Sequence, residues 1–433
     1  MMRKKSIKQN SLWTLLGNGA FFFCQWANIV ILAKLSNAET VGQFAYALAI
    51  TAPIFEFTNL QLRGIQATDA KNEYTFEDYL GLRIVMLITA FFILVLVCIF
   101  LNYNIEFIFL LLSVALTKVL DGMSDIVYGL LLKFENTKDM AFSLIFRGVG
   151  ALILLSIMFF FSRRLVFGVI GIIISWSIIF YFYDLRKTKK ILKQYNLSKR
   201  SEKSTFYLCQ IRPNLTIFKL KELFFLSLPM GGVMMLSSLS QNIPRYFVEN
   251  KLGLDKLGYF AAIYYISRAG TMIISSVGKT ASPRLALYYA KKEFDKFKYL
   301  LYKLLLFALV LGFIGITISL AFGDIILSLV YSPEYIAYKN IFVWLMIFTF
   351  FTYIVNFLGN GVTSMRIFKT QFLIHFLNVM VTFLSSFFLI DYFGLVGAVW
   401  SLLAEMLFMT ILYAALIYFN LKKVSYFCKD STE

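Results

Sequence analysis

Charged residues are scarce in this sequence, and their scarcity excludes most classes of soluble protein. Asp, Glu, Lys and Arg make up 15% of the 433 residues, whereas soluble domains average about 25%. Hydrophobic residues make up 59% of the chain, and the mean hydropathy is +0.74. These values predict a polytopic membrane protein.

Residues that bind metals or form disulfides are also few. The chain has one histidine and four cysteines, and two of those cysteines lie in apolar stretches. Their spacing matches no metal motif and no disulfide framework. We therefore expect no metal and no bound cofactor beyond a coupling ion, H⁺ or Na⁺.

A membrane enzyme is also unexpected. With a single histidine, no nucleophile–base constellation can be assigned. The longest predicted outer loop, residues 322–338, carries only Asp324 and Glu334 as charges. Such short outer loops leave little room for a catalytic site.

Positive charge is in excess, but its position favours a membrane protein over a nucleic-acid-binding one. Lys and Arg number 42 against 24 Asp and Glu. Counting those outside the apolar segments and those among the three residues at each segment end, 29 Lys and Arg lie on the side of both termini and six on the other side. Because cytoplasmic loops collect positive charge, both termini are predicted to be cytoplasmic.

Apolar segments of the length that crosses a bilayer, about 20 residues, recur along the chain. Lipid offers no partners to backbone polar groups, which excludes open strands, and the alternation of a barrel is absent. The fold class is therefore an all-α integral membrane protein. Twelve spans are predicted: 11–33, 40–62, 78–101, 106–132, 139–161, 165–185, 222–248, 257–283, 298–321, 339–362, 367–390 and 394–419.

A basic segment divides the spans into six plus six. Residues 186–221 hold eleven Lys and Arg, and they are either an ordinary cytoplasmic linker or a site for anionic lipid headgroups. The predicted domains are an N-terminal lobe (1–185), this linker (186–221), a C-terminal lobe (222–419) and a cytoplasmic tail (420–433).

The two halves repeat in sequence. VGQFAYALAI, starting at Val41, matches LGYFAAIYYI, starting at Leu257, and FGVIG from Phe167 matches FGLVG from Phe393. Since each half has an even number of spans, the two lobes keep the same orientation and form a parallel repeat. Two pseudo-symmetric six-helix lobes that rock against each other are a transporter architecture.

One predicted span carries a polar face. Tyr264, Arg268, Thr271, Ser275 and Lys279 recur at helical spacing along span eight. Arg268 lies eleven residues into the span, or roughly 16 Å, close to the bilayer midplane. Because charges at that depth are costly, the face is predicted to line a water-filled cavity.

Spans four and five carry further charges. Lys118, Asp121, Asp125 and Tyr128 form a stripe in span four. They either line the cavity or pair internally, with Lys118 bonded to Asp121. Arg147 in span five has Asp121 or Asp125 as its expected partner.

Other ionisable residues lie near the span centres or ends. Glu405 is a candidate for carrying a coupling proton, whereas His375 is more typical of a packing residue. Glu56 is a further acidic candidate near the cytoplasmic end. Arg83 and Lys303 are predicted to be surface anchors whose long side chains reach the interface.

Arg245 ends an apolar run directly after Pro244. Counted from residue 222, it lies roughly 35 Å along span seven, at the outer interface. We expect an outer-rim residue paired with Glu249 at i+4, and a candidate for an outer gate. The midplane basic groups Lys118, Arg147 and Arg268 predict a cationic cavity and an anionic substrate.

Several motifs resemble a known family. NIPRYF at Asn242, LGYFAAI at Leu257 and ASPRL at Ala281 resemble the second lobe of Wzx-type polysaccharide flippases, and LQLRGIQATD at Leu60 with YLGLR at Tyr79 resembles the first. These flippases belong to the multidrug/oligosaccharidyl-lipid/polysaccharide exporter superfamily. The resemblance runs from span one to span twelve.

The resemblance implies a flippase that moves an undecaprenyl-pyrophosphate-linked oligosaccharide to the outer leaflet, for capsule or O-antigen assembly, by alternating access. It implies a fold like that of multidrug exporters and lipid II flippases, with membrane lipids, a polymerase and chain-length proteins as partners. Arg268 is the residue that best matches the family's pyrophosphate-binding groups, with Lys118, Arg147 and Lys279 beside it. Four acids are assigned either to binding of the coupling ion or to structural pairing: Asp121, Asp125, Glu56 and Glu405. The alternative is a cation-coupled multidrug exporter, which span one disfavours because it contains no Asp or Glu.

Overall fold

The computed structural model describes residues 7–69, 71–101, 103–198, 212–365 and 367–429, and these ranges are helical apart from short turns. The predicted all-α fold is confirmed. The helices are α1 Ile7–Leu35, α2 Ala38–Asn59, α3 Leu62–Thr68, α4 Phe76–Phe100, α5 Ile105–Lys133, α6 Thr137–Ser162, α7 Leu165–Ile179, α8 Leu185–Ser198, α9 Ile217–Leu252, α10 Leu254–Ser267, α11 Thr271–Ala290, α12 Phe294–Val330, α13 Lys339–Ser364 and α14 Phe368–Lys429.

Local sequence signals explain where several helices begin. The Thr75 side chain accepts from the backbone of Asp78, whose carboxylate accepts from the Thr75 backbone, and this capping box starts α4. Asn104 accepts from the Phe107 backbone at 2.9 Å and starts α5. A π-helical turn, Phe180–Asp184, connects α7 to α8 without a break.

Ten helical segments of the described chain are long and apolar enough to cross a membrane. Their outward faces carry large apolar side chains such as Phe100 and Phe161, which are 80% and 81% exposed. This pattern belongs to a multi-pass membrane protein. The predicted second span, 40–62, lies in α2, which is not among these ten segments.

Helix α14 is a hairpin made of the last two predicted spans. A straight helix of 62 residues would be about 93 Å long, three times the hydrocarbon thickness. The helix breaks at Gly394, whose φ of 56° is readily adopted by glycine. Beyond the break, Gly397 lies against the carbonyl of Leu389, so the two arms pack closely.

Contacts between Cα atoms divide the chain into two compact units. Unit 1 comprises residues 1–35 and 47–238, and unit 2 comprises residues 36–46 and 239–433. Each has its own apolar core, around Tyr79 and Leu131 in unit 1 and around Phe297 and Phe357 in unit 2. The unit boundaries fall inside α2 and α9.

The glycines of the first sequence repeat meet inside unit 2. A Cβ on Gly42 would collide with the carbonyl of Leu254, and a Cβ on Gly258 would collide with that of Ala38. When residue numbers are shifted by the 216-residue offset between the repeats, Gly42 becomes Gly258 and Ala38 becomes Leu254, so each contact is the counterpart of the other. The starts of α2 and α10 therefore cross with approximate two-fold symmetry.

Candidate functional site

Unit 1 contains a cluster in which a buried arginine meets a carboxylate. Arg83 on α4 is 0% exposed. It donates to Asp125 of α5 at 3.0 Å and to Asn59 at the end of α2. Arg63 forms a second ion pair with Asp125 at 3.5 Å. The predicted anchoring of Arg83 at the interface is wrong, because side chains from two other helices hold it in the interior.

Arg147 on α6 is also fully buried, between an acid and an aromatic ring. It donates to Asp121 at 3.0 Å and to the Tyr128 hydroxyl at 3.2 Å. Its guanidinium carbon lies 4.2 Å from the centre of the Trp176 ring. Asp121 is one of the two partners that the sequence suggested. In this structure the Arg147 guanidinium is closed to a ligand.

A buried network continues from Arg147 toward the end of α7. Tyr128 bonds Ser143 at 2.8 Å, and Ser143 donates to Asp184 at 2.6 Å. Ser124 donates to the same carboxylate at 2.9 Å. Sequence reasoning missed Asp184, although an aspartate at the end of so apolar a span is the kind of signal that marks a functional or paired acid.

Lys118 and Glu56 remain half-buried near this cluster. Within the described ranges, no carboxylate oxygen lies within 4 Å of the Lys118 ammonium, so the proposed Lys118–Asp121 pair does not form. Asp121 instead faces Arg147, which is the better bidentate donor. The Asp121 side chain is 46% exposed, so this carboxylate stays partly accessible in unit 1.

In unit 2, the predicted span eight lies in one helical segment, Leu254–Ala290. This segment tightens to a 3₁₀ turn at Arg268–Gly270, and Arg268 donates to the hydroxyl of Tyr264, so these two members of the predicted stripe share a face. Gly270 leaves room for the Tyr353 hydroxyl, which would collide with a Cβ there. No periodicity in the sequence signals this turn.

The half-buried Arg268 guanidinium is held by neutral groups. It donates to the Gln241 carbonyl oxygen at 2.8 Å and to the Tyr264 hydroxyl at 2.8 Å. Among the residues the structure describes, no carboxylate lies within ion-pair distance of it. The guanidinium is thus oriented without being neutralised.

Arg245 on α9 is buried, at 8% exposed. It donates to Asn242 at 3.1 Å, and its guanidinium carbon lies 4.9 Å from the centre of the Tyr264 ring. The expected ion pair with Glu249 does not form; that carboxylate bonds the Tyr46 hydroxyl instead. The sequence could not show that Tyr264, on the next helix, brings Arg245 close to Arg268.

Glu405 on the second arm of α14 is 3% exposed. One of its oxygens accepts from Ser240 and from the Asn378 amide, each at 2.9 Å. The other oxygen, Oε2, and the Asn378 carbonyl oxygen are buried and have no hydrogen-bond partner in the described part of the chain.

The remaining predicted site residues of unit 2 lie elsewhere. Lys279 is exposed on α11, three helical turns from Arg268. His375 is half-buried, 3.4 Å from the Tyr413 hydroxyl, as expected of a packing residue. Sequence reasoning missed Asn360 of α13, which accepts from Ser282 of α11 at 3.3 Å and adds a polar contact between the two helices.

The sequence matches two protein families. Residues 7–289 match the family described as "Polysaccharide biosynthesis protein", and residues 229–388 match the MatE family. The chain is 28% identical to the capsular polysaccharide biosynthesis protein CapF of Staphylococcus aureus, over 90% of this chain and 94% of that protein. It is 27% identical to a Shigella flexneri protein described as an O-antigen transporter, over 42% of this chain and 44% of that one.

Solved structures show the same fold. A multidrug-resistance transporter of the MATE family, solved in an inward-facing conformation, superposes with a TM-score of 0.72 over 98% of both chains at 12% identity. An outward-facing transporter of the same family gives a TM-score of 0.62 over 95% of both chains at 12% identity. The fold is that of these exporters, and because the first family match covers well over half of the sequence, this chain belongs to the polysaccharide biosynthesis protein family.

Proposed function

We propose that this protein is a flippase for a lipid-linked glycan, carrying an undecaprenyl-pyrophosphate-linked repeat unit from the inner to the outer leaflet by alternating access. Its kinship with a capsule protein and with an O-antigen transporter supports a substrate of this class. In this proposal the protein lies in a bacterial plasma membrane, with both termini in the cytoplasm. Membrane lipids surround it, and polymerase and chain-length proteins act on the product.

The observation that carries the proposal is the environment of Arg268. Hydrogen bonds to an ionised group contribute about 1.5–3 kcal/mol, so Gln241 and Tyr264 fix the guanidinium firmly. Because both partners are neutral, the positive charge remains for a ligand. Arginine pairs with phosphate through two parallel N–H···O bonds. A pyrophosphate matches such a group, and a cationic drug does not.

Glu405 is the candidate site for a coupling cation, H⁺ or Na⁺. A buried carboxylate that is not paired with a base favours uptake of a proton or metal ion. Oε2 of Glu405 and the Asn378 carbonyl oxygen are two buried oxygens of contacting side chains without partners in the described residues. A hard cation takes oxygen ligands of this kind.

The alternative, a cation-coupled drug exporter, draws on the accessible carboxylates of unit 1. Asp121 and Asp125 are 46% and 23% exposed at their side chains. Each is, however, already bonded to an arginine, so little negative charge is left for a cationic drug.

Complementation of a deletion strain tests the proposal. Arg268→Gln is expected to abolish surface polysaccharide while the protein reaches normal levels in the membrane. Arg284→Gln removes an exposed arginine of the same unit and is the matched control. Normal polysaccharide in the Arg268 variant would rule out the proposed role, and drug hypersensitivity of the deletion strain with intact polysaccharide would favour the alternative.

A further inference from the structure

Arg245 is a buried cation whose partners among the described residues are neutral. It is 92% shielded, it donates to the Asn242 amide oxygen, and its Nε has no hydrogen-bond partner in the described ranges. A buried charge is costly unless an opposite charge or hydrogen bonds compensate for it. The structure therefore leaves Arg245 incompletely satisfied, whereas Arg83 and Arg147 each have a carboxylate.

Tyr264 joins Arg245 to Arg268. Its ring centre lies 4.9 Å from the Arg245 guanidinium carbon and 5.6 Å from that of Arg268. The two cations are thus no farther apart than the sum of these distances. Tyr264 is itself 4% exposed and stacks on Phe348 at 6.0 Å, which makes it a rigid support for both.

The charges around the pair do not balance. Within the described residues, neither Arg245 nor Arg268 has a carboxylate oxygen within 4 Å, and the buried acid of the same unit is Glu405. This carboxylate accepts instead from Ser240 and Asn378. Two like charges held close together repel each other, and an anion between them would turn that repulsion into attraction.

We infer that Arg245 and Arg268 form one anion site on Tyr264, built for a ligand with two adjacent negative charges. This inference rests on the proposed function and adds Arg245 to its site. The shared chemistry is a pair of anionic groups, which either the diphosphate of a lipid-linked glycan or two neighbouring acidic sugars can supply. Arg268 binds one group, and Arg245 binds the other.

Binding to the purified full-length protein in detergent tests this assignment. The probes are farnesyl diphosphate, farnesyl monophosphate and digalacturonate, and the variants are Arg245→Gln, Arg245→Lys and Arg268→Gln. Arg284→Gln is the control for the loss of one positive charge. We expect wild-type protein and the control to bind at least one of the two dianionic probes. We expect Arg245→Gln to weaken that binding about tenfold or more, as the loss of one charge-assisted hydrogen bond implies.

The preference for one probe over another shows whether Arg245 binds the ligand or only supports the fold. If Arg245 contacts the second phosphate, its removal lowers the preference for diphosphate over monophosphate by about tenfold. Loss of digalacturonate binding instead would assign the site to acidic sugars. The melting temperature, measured without probe, reports whether each variant folds, and Arg245→Lys keeps the charge if the glutamine variant does not fold.

Two results would contradict the inference without touching the proposed function. One is that the folded Arg245 variants bind farnesyl diphosphate and digalacturonate with unchanged affinity, while Arg268→Gln loses its affinity for these probes. The other is a lower melting temperature with an unchanged probe preference, which would make Arg245 a structural residue. The proposed function fails separately, if Arg268→Gln restores normal polysaccharide to the deletion strain.

Discussion

In unit 1, the guanidinium groups of Arg83 and Arg147 are fully buried, and each lies 3.0 Å from a carboxylate. In unit 2, Arg245 and Arg268 contact amides and a tyrosine instead. Under the proposed function, the same residue type has two roles. A carboxylate neutralises the arginine and makes it part of the packing, whereas we propose that a neutral acceptor orients it and leaves its charge for a ligand.

The most damaging change to unit 1 should be Asp125→Asn. It leaves the buried Arg83 without its acid, and breaking a buried ion pair costs about 3–5 kcal/mol. Because Asp125 is partly exposed, we expect the lower end, about 3 kcal/mol, in the free energy of unfolding measured by denaturant titration in detergent. Glu106→Gln, at an exposed acid, is the control. A loss below about 1 kcal/mol would mean that the Arg83 pair is not structural.

Asp121→Asn should cost less, about 1–2 kcal/mol. Its side chain is 46% exposed, which weakens the pair, and Arg147 keeps the Tyr128 hydroxyl and the Trp176 ring. The same denaturant titration measures this loss of unfolding free energy. A cost equal to that of Asp125→Asn would show that the ring and the hydroxyl contribute little.

Glu405→Gln should change the stability of unit 2 by less than about 1 kcal/mol. A glutamine carbonyl oxygen can still accept from Ser240 and Asn378, so the hydrogen bonds survive. If Glu405 holds the coupling cation, surface polysaccharide should fall while the free energy of unfolding hardly moves. Full polysaccharide with Glu405→Gln would exclude a coupling role.

The smallest effect on stability is expected for Arg268→Gln, about 0.5 kcal/mol, because no ion pair is broken and the loss of two hydrogen bonds is offset by removal of the desolvation cost of the guanidinium. Denaturant titration of this variant beside Asp125→Asn compares the two units directly. Similar losses of unfolding free energy in the two variants would remove the distinction between structural and ligand-binding arginines.

The sequence predicted the helices better than it predicted which side chains pair with each other. Long apolar runs set the spans, and Gly394 is the first residue of the last predicted span, where the α14 hairpin turns. The buried pairs of Arg83 and Arg147 form between helices, so spacing within one helix could not assign them. The 3₁₀ turn at Arg268 is accompanied by the packing of Tyr353 against Gly270, a contact between distant parts of the chain. The partners of Arg245 could not be assigned from spacing either, because the Tyr264 ring that it contacts lies on the next helix.

The central claim is that neutral partners keep Arg268 available to an anion, and Gln241→Glu tests it most directly. This change places a carboxylate where the Gln241 amide now accepts from Arg268 at 2.8 Å, which reproduces the arrangement of unit 1. The account predicts a protein that is as stable as wild type but yields at least tenfold less surface polysaccharide in a complemented deletion strain. Wild-type polysaccharide from a normally expressed Gln241→Glu protein would contradict it.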